Sequence, residues 1–159
     1  MANQLGLVVL EDPKFCDPQN VVHVAIYNMR WNPMGLVRMS AQDLCVYESA
    51  LSAHQVYVQA QQNEWRAKFE FLGKERERVL REVRGQFRGD TEKAKEDAAI
   101  AQNAAVGKLH YEFVEAQAMA TFLTDMGDRF SQLEDGLKRL ISLRHDEERR
   151  TYIQGKFTT

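Results

Sequence analysis

The residues of this sequence that could bind a metal ion are histidines and cysteines spread along the chain. They are Cys16, His23, Cys45, His54, His110 and His145. No CxxC, HExxH or Glu-x-x-His spacing brings any of them together, so the usual ligand patterns of metal sites are missing. His145 and Glu148 share a helix face at i,i+3 spacing, which a solvated helix explains without a metal. The sequence therefore predicts no metal ion and no other cofactor.

Residues for nucleophilic or acid–base catalysis are also present, but without the arrangement that catalysis requires. The sequence has neither a Gly-x-Ser-x-Gly turn nor a cysteine with a recognisable base. Most paired carboxylates have a basic residue four positions later, as in Glu134 and Lys138, and such pairs stabilise an exposed helix by about 0.2–0.5 kcal/mol. Cys45 follows Leu44 and is predicted to be a buried, inert thiol. These patterns predict a protein that is not an enzyme.

An arginine cluster in the middle of the chain is the feature closest to a phosphate-binding site. Its candidate phosphate contacts are Arg78, Arg81, Arg84 and Arg88. Glutamates are interleaved with these arginines, which favours an ion-paired, solvated helix face over a phosphate track. The alternative function is that of a nucleic-acid-packaging or coat-type protein, as in a virion, that uses these arginines.

The composition is that of a globular protein and carries little net charge. Hydrophobic residues make up 44%, charged residues 28%, and the net charge is -2. This balance creates no global field that would attract nucleic acid or a membrane surface. No stretch approaches the roughly 20 apolar residues that span a bilayer. The two cysteines and the lack of a recognisable signal peptide predict an intracellular, reducing compartment, with the cytoplasm as the simplest choice.

The three prolines divide the chain, because all of them lie in its first 33 residues. Residues 1–38 contain two short apolar runs, Leu5–Leu10 and Val21–Tyr27, bounded by turn-forming residues. We expect this part to be an extended arm with short β-strands that leans on another part of the molecule or on a partner.

Residues 40–88 are predicted to form one long helix. Ser40 followed by Asp43 is a capping-box pattern at its start. After it, one apolar row repeats every seven residues, as in a coiled coil. The row consists of Leu44, Leu51, Val58, Trp65, Leu72 and Val79.

Residues 91–157 are predicted to form a second helix, after a turn over residues 85–91. Gly89 would end the first helix and Asp90 would cap the second. Breaks are expected near the glycines at positions 107, 127 or 136. One apolar row contains Leu109, Ala116, Leu123, Phe130 and Leu137, and a second contains Met119, Met126, Leu133 and Leu140.

Opposite net charges on the two sides of Gly89 favour an antiparallel arrangement of these helices. The predicted fold is therefore mainly all-α: a long two-helix coiled-coil hairpin over residues 39–159, with the extended arm before it. Folding at Gly89 would set Phe69 beside Leu109 and Tyr47 beside Phe130.

The width of the apolar surface on the second helix predicts contacts beyond the hairpin itself. Its outward face, together with an exposed tryptophan, would contact protein partners or further copies of the chain. The predicted contact residues are Trp31, Met119, Met126, Leu133 and Leu140. The function predicted from the sequence is that of a non-enzymatic structural or interaction subunit in a homo-oligomer or a multi-subunit assembly.

Overall fold

The structure is a computed structural model that describes residues 13–157. These residues are almost entirely helical, and none of them lies in a strand. A 3-10 turn over Pro13–Phe15 precedes the first α-helix. The α-helices are α1 Val21–Trp31, α2 Pro33–Leu36, α3 Ala41–Val83, α4 Glu92–Gln102 and α5 Ala104–Phe157, with a 3-10 turn at Arg84–Gln86. The predicted all-α class is confirmed.

The segment Val21–Tyr27, predicted as a strand, forms most of α1 instead. The side-chain oxygen of Asn20 accepts hydrogen bonds from the backbone of the second and third residues of this helix, at 3.0 and 3.2 Å. This cap starts a helix, and burial of Ala25 and Ile26 then outweighs the β propensity of the valines. The other predicted strand, Leu5–Leu10, lies outside the described residues.

The predicted cap at the start of α3 is confirmed. Ser40 Oγ accepts a hydrogen bond from the backbone N–H of Asp43 at 3.1 Å, and its hydroxyl donates to the Asp43 carboxylate at 2.7 Å. The helix ends at Val83 rather than at residue 88, because a 3-10 turn replaces its last part.

The N-cap of α4 is Thr91 and not Asp90 as predicted. Thr91 Oγ1 accepts a hydrogen bond from the backbone N–H of Ala94 at 3.1 Å, the usual bond of a threonine cap. A side chain at Gly89 would come within 2.9 Å of both Ala94 Cβ and the backbone nitrogen of Lys95. Gly89 therefore permits a close approach of the chain to the first turn of α4.

The break in the second predicted helix falls at Asn103 and not at one of the three glycines. The backbone of Asn103 is extended, with φ -108° and ψ 109°. Its side-chain oxygen accepts hydrogen bonds from Ala105 and Val106 at 3.1 and 3.3 Å and so caps α5. Asparagine favours this local bond over a helix interior, which explains why α4 and α5 are separate helices.

The chain divides into two compact units. The terminal unit comprises the described residues up to Val58 together with Met126 and those after it, and the central unit is Gln59–Asp125. Each unit contains one stretch of α3 and one of α5.

In the terminal unit, α3 and α5 run antiparallel around an apolar core. Gln55 Nε2 donates to Ser131 Oγ at 2.6 Å, and Glu48 forms an ion pair with Lys138 at 3.9 Å. Asn28 Nδ2 donates to Tyr47 Oη at 3.2 Å and links α1 to α3. The buried residues include Ala25, Ile26, Leu36, Leu44, Leu51, Val58, Met126, Phe130 and Leu137.

The central unit has the same antiparallel helix pair. Gln62 Nε2 donates to Thr124 Oγ1 at 2.8 Å. The rings of Phe69 and Phe113 stack at 5.1 Å, and Phe113 also lies 3.3 Å from the Cβ position of Gly73. The buried residues are Leu72, Leu80, Ala99, Val106, Ala116, Met119 and Leu123.

The pairing between α3 and α5 is shifted from the prediction. Phe69 contacts Phe113, one turn beyond the predicted Leu109. Phe130 lies 5.0 Å from the ring of His54, two turns beyond the predicted Tyr47. The cause is α4, which lengthens the connection so that the second long helix begins at residue 104.

Two glycines of α5 offer a matched test of this packing. A Cβ at Gly107 would lie 2.9 Å from the carbonyl oxygen of Ile100 in α4, whereas a Cβ at Gly127 would meet nothing within 4 Å. We expect Gly127→Ala to raise the free energy of unfolding by up to about 1 kcal/mol, from helix propensity alone. Gly107→Ala should lower it. Urea unfolding followed by circular dichroism measures both, and equal stabilisation by the two substitutions would contradict this arrangement.

Candidate functional site

Polar and charged residues all keep some exposed surface in the described part of the chain. Among residues 13–157, no polar or charged residue is buried. In the same part of the chain, no group of three or more His, Cys, Asp or Glu side chains is placed to hold a metal ion. The candidate sites are therefore individual histidines, the arginine cluster and exposed apolar side chains.

His54 of the terminal unit has the most altered environment among the histidines. Its half-buried ring meets the ring of Phe130 edge-on at 5.0 Å and lies 6.2 Å from the ring of Tyr57. Burial lowers the pKa of His54 below its ordinary value of 6.5, and the charge of His23 lowers the pKa further. The folded chain thus favours the neutral imidazole.

This pKa shift predicts a loss of stability in mild acid. The unfolded chain binds a proton at His54 more readily than the folded chain, so the free energy of unfolding falls as the pH drops below about 6.5. Replacing His54 with Gln should flatten this part of the profile, measured by urea unfolding between pH 5 and pH 8. An unchanged slope in His54→Gln would assign the acid sensitivity to other groups.

His110 of the central unit is held by an arginine. Arg76 Nε donates a hydrogen bond to His110 Nδ1 at 3.1 Å. The guanidinium of Arg76 also lies 5.4 Å from the centre of the Phe113 ring. These contacts hold Arg76 against α5.

The predicted phosphate contacts are divided between ion pairs and open surface. Arg78 binds Glu75 at 2.6 Å and Glu82 at 2.7 Å, and Arg84 binds Glu92 at 3.0 Å. The hydrogen bond with Arg78 lowers the pKa of Glu75, and the same bond raises the pKa of Arg78. Two of the four arginines are thus neutralised by neighbouring carboxylates.

Arg81 and Arg88 are exposed, and neither forms an ion pair within the part of the chain that the structure describes. A shallow groove of about 160 Å³ includes Arg81 and Arg84, and two carboxylates line it as well. Its full lining is Arg76, Glu77, Leu80, Arg81, Arg84 and Glu96. The groove therefore holds two of the four predicted arginines, with carboxylates beside them.

The predicted outward face of α5 is partly covered by the chain itself. Met119 is 3% exposed and Met126 is 6% exposed, so both belong to the core. Leu133 and Leu140 are half-buried. Of this row, only these two leucines keep surface that a partner could cover.

Trp31 lies at the end of α1 and is half-buried. Its ring is 6.1 Å from that of Tyr27, and the guanidinium of Arg30 lies 4.8 Å from its centre. Met34, just beyond it in α2, is 66% exposed. Trp31 therefore combines local packing with an accessible edge.

Cys45 is exposed, which corrects the prediction of a buried thiol. Leu44 is fully buried, and the next residue of an α-helix points about 100° away from it. Val46 is likewise 53% exposed. The first turns of α3 therefore carry apolar and sulfur-containing side chains on a surface that the seam pattern did not predict.

No protein-family model, curated protein or solved structure matches this chain. Function must therefore be argued from the surfaces described above. Within residues 13–157, no helix combines the length and apolar character needed to cross a membrane.

Proposed function

We propose that the chain is a non-enzymatic structural or interaction subunit of a larger assembly, acting through coiled-coil and arm-mediated contacts. The observation that supports this proposal is the set of large apolar side chains on the outer surfaces of helices whose inner faces are already packed. Val56 and Tyr111 are each 71% exposed. The others on α3 and α5 are Val46, Tyr57, Phe71, Val114, Leu143, Tyr152 and Ile153. Partner contacts would cover such side chains.

In this proposal, residues 39–159 form a single coiled-coil hairpin, and its surface makes the contacts with partners. Antiparallel contacts inside each unit support this proposal, as does the ion pair between Glu48 and Lys138 in the terminal unit. Spin labels at Ala53 and Lys74, both exposed on α3, test whether the first helix of this hairpin is continuous. A straight helix separates these positions by about 32 Å at 1.5 Å per residue. A much shorter distance would contradict a continuous α3.

The function itself is tested in the native source. We expect the chain to fractionate in an assembly far larger than its own 18.4 kDa, when extracts are separated by size and the chain is detected with an antibody. A pool that elutes entirely at the mass of the isolated protein would overturn the proposal.

The exposed thiol of Cys45 is compatible with the reducing, cytoplasmic compartment that we also propose.

The arm contact is tested at Trp31. Trp31→Ala should release the chain from its assembly, because tryptophan side chains often dominate interface energies. Gln132→Ala, at an exposed polar position of α5 in the same unit and outside the proposed contact residues, is the control. Circular dichroism of both isolated variants separates a lost contact from a lost fold.

Nucleic-acid packaging is the alternative, and the exposed Arg81 and Arg88 are the observation in its favour. The ion pairs of Arg78 and Arg84 weigh against it. We expect no retention of single- or double-stranded nucleic acid on filters at low salt and micromolar protein. Retention that falls steeply with added salt, and that Arg81→Gln weakens, would favour packaging instead.

A further inference from the structure

One face of α3 in the terminal unit carries a regular row of small and apolar side chains that the chain leaves exposed. We call Val46, Ser49, Ala53 and Val56 the outer row. All four residues are exposed, Val46 by 53% and Val56 by 71%. Their spacing of three, four and three residues is that of a coiled-coil seam. The outer row therefore has the spacing of a second seam on α3, separate from the buried one formed by Leu44, Leu51 and Val58.

The outer row reads the same in both directions. A valine stands at each end, and a small residue stands at each of the two inner positions. In an antiparallel pair of identical helices centred between Ser49 and Ala53, each valine would face the other valine of the second copy. Ser49 and Ala53 would likewise face each other, and their small size permits close approach of the two backbones. This reciprocal contact is what a two-fold axis requires.

Charge on this stretch of α3 is compatible with the same pairing. Between Asp43 and Val58 the only charged residue is Glu48, and its carboxylate is paired with Lys138 of α5. Two identical faces therefore meet without like charges opposite each other. A partner recognised by charge would find no ionic group in the outer row.

We propose that the outer row is a docking face for a second copy of this chain, with the two α3 helices antiparallel. Val46 then packs against Val56 of the second copy, and Ser49 against Ala53. This inference goes beyond the proposed function, since it concerns the purified chain alone. It can fail while the native assembly persists, and the reverse is equally possible.

The mass of the purified chain as a function of concentration tests the proposal. We expect a shift from one to two copies in sedimentation equilibrium as the protein concentration rises. Val56→Glu should raise the dimer Kd by about 30-fold or more, because it buries a charge in an apolar contact with Val46 of the second copy. Val114→Glu is the matched control, since Val114 is an exposed valine of α5 outside the outer row. It should leave the Kd unchanged.

A wild-type chain that stays monomeric to millimolar concentration would overturn the proposal, as would a dimer that Val56→Glu leaves intact. Ala53→Gln provides a second variant that adds bulk without charge. It should also weaken the dimer, and circular dichroism confirms that both variants keep their helices.

The native thiol of Cys45 tests the orientation. Spin labels on Cys45 in a Cys16→Ser background should lie about 20 Å apart across the dimer. This value follows from about 18 Å along the axes and 8–10 Å between them. A parallel pairing in register would give about 10 Å, which overturns the antiparallel geometry, and a distance beyond about 40 Å would place the dimer contact elsewhere.

Discussion

Met126→Glu is expected to lower the free energy of unfolding by about 3–5 kcal/mol. Met126 is 6% exposed in the core of the terminal unit. The substitution removes a buried apolar side chain and places a carboxylate in its position, and both changes are costly. Urea or thermal unfolding followed by circular dichroism measures the loss.

The effect of the introduced charge can be separated from the effect of removing the apolar side chain. Burial would raise the pKa of the new carboxyl group in the folded chain. The loss of stability relative to the wild type should therefore be smallest in acid, where the group is neutral in both states, and should grow as the pH rises. Met126→Gln, which carries no charge, should show no such dependence. Leu143→Glu, at a position 60% exposed on the same helix, should be nearly neutral. If Met126→Glu were equally mild, Met126 would lie on an open face, as predicted from sequence.

Leu80→Ala is expected to cost about 3 kcal/mol and to loosen α4. Leu80, Ala99 and Val106 form a buried cluster in the central unit, with Phe87 and Ile100 packed against it. Leucine truncation at such a site loses burial and leaves a cavity. Hydrogen exchange should therefore accelerate at the amides of α4, because Leu80 shares this buried cluster with Ala99 of that helix.

Leu143→Ala is the matched control for this cluster, since Leu143 is 60% exposed. Its effect should stay within about 0.5 kcal/mol. Faster exchange spread evenly over all helices in Leu80→Ala would contradict a local role of the cluster.

The parts of the fold that follow from periodicity were predictable. Leu44, Leu51 and Val58 are buried as the seven-residue row required, and so are Leu123 and Leu137. The row identifies these residues because one side of a helix recurs every seven positions. Trp65 and Leu109, which were expected in the seam, are half-buried.

The parts that depend on single polar caps were not predictable from the apolar pattern. Asn20 starts a helix where valines suggested a strand, and Asn103 ends one where a glycine was expected to. Each acts through a side-chain hydrogen bond to the backbone two or three residues later. Asparagine favours turns as well as helix caps, so the residue alone does not predict which of the two it forms. The surrounding packing decides.

The shifted pairing of α3 and α5 follows from the same uncertainty. Once Asn103 separates α4 from α5, the connection is a helix and not a tight turn. Phe69 therefore meets Phe113. It was harder still to predict which apolar residues face outward. Met119 and Met126 lie in a row that was predicted to face outward, but both are buried.

Because glycine has no side chain, Gly73 helps to fix the register of α3 against α5. Apolar rows that repeat every seven residues would tolerate slippage by a whole repeat. The ring of Phe113 occupies the space beside Gly73, 3.3 Å from where a Cβ would stand. A slip of one repeat would bring Phe113 to Arg66 or to Leu80, and both positions carry full side chains. The glycine thus excludes sliding between helices that would otherwise have several equivalent ways to fit.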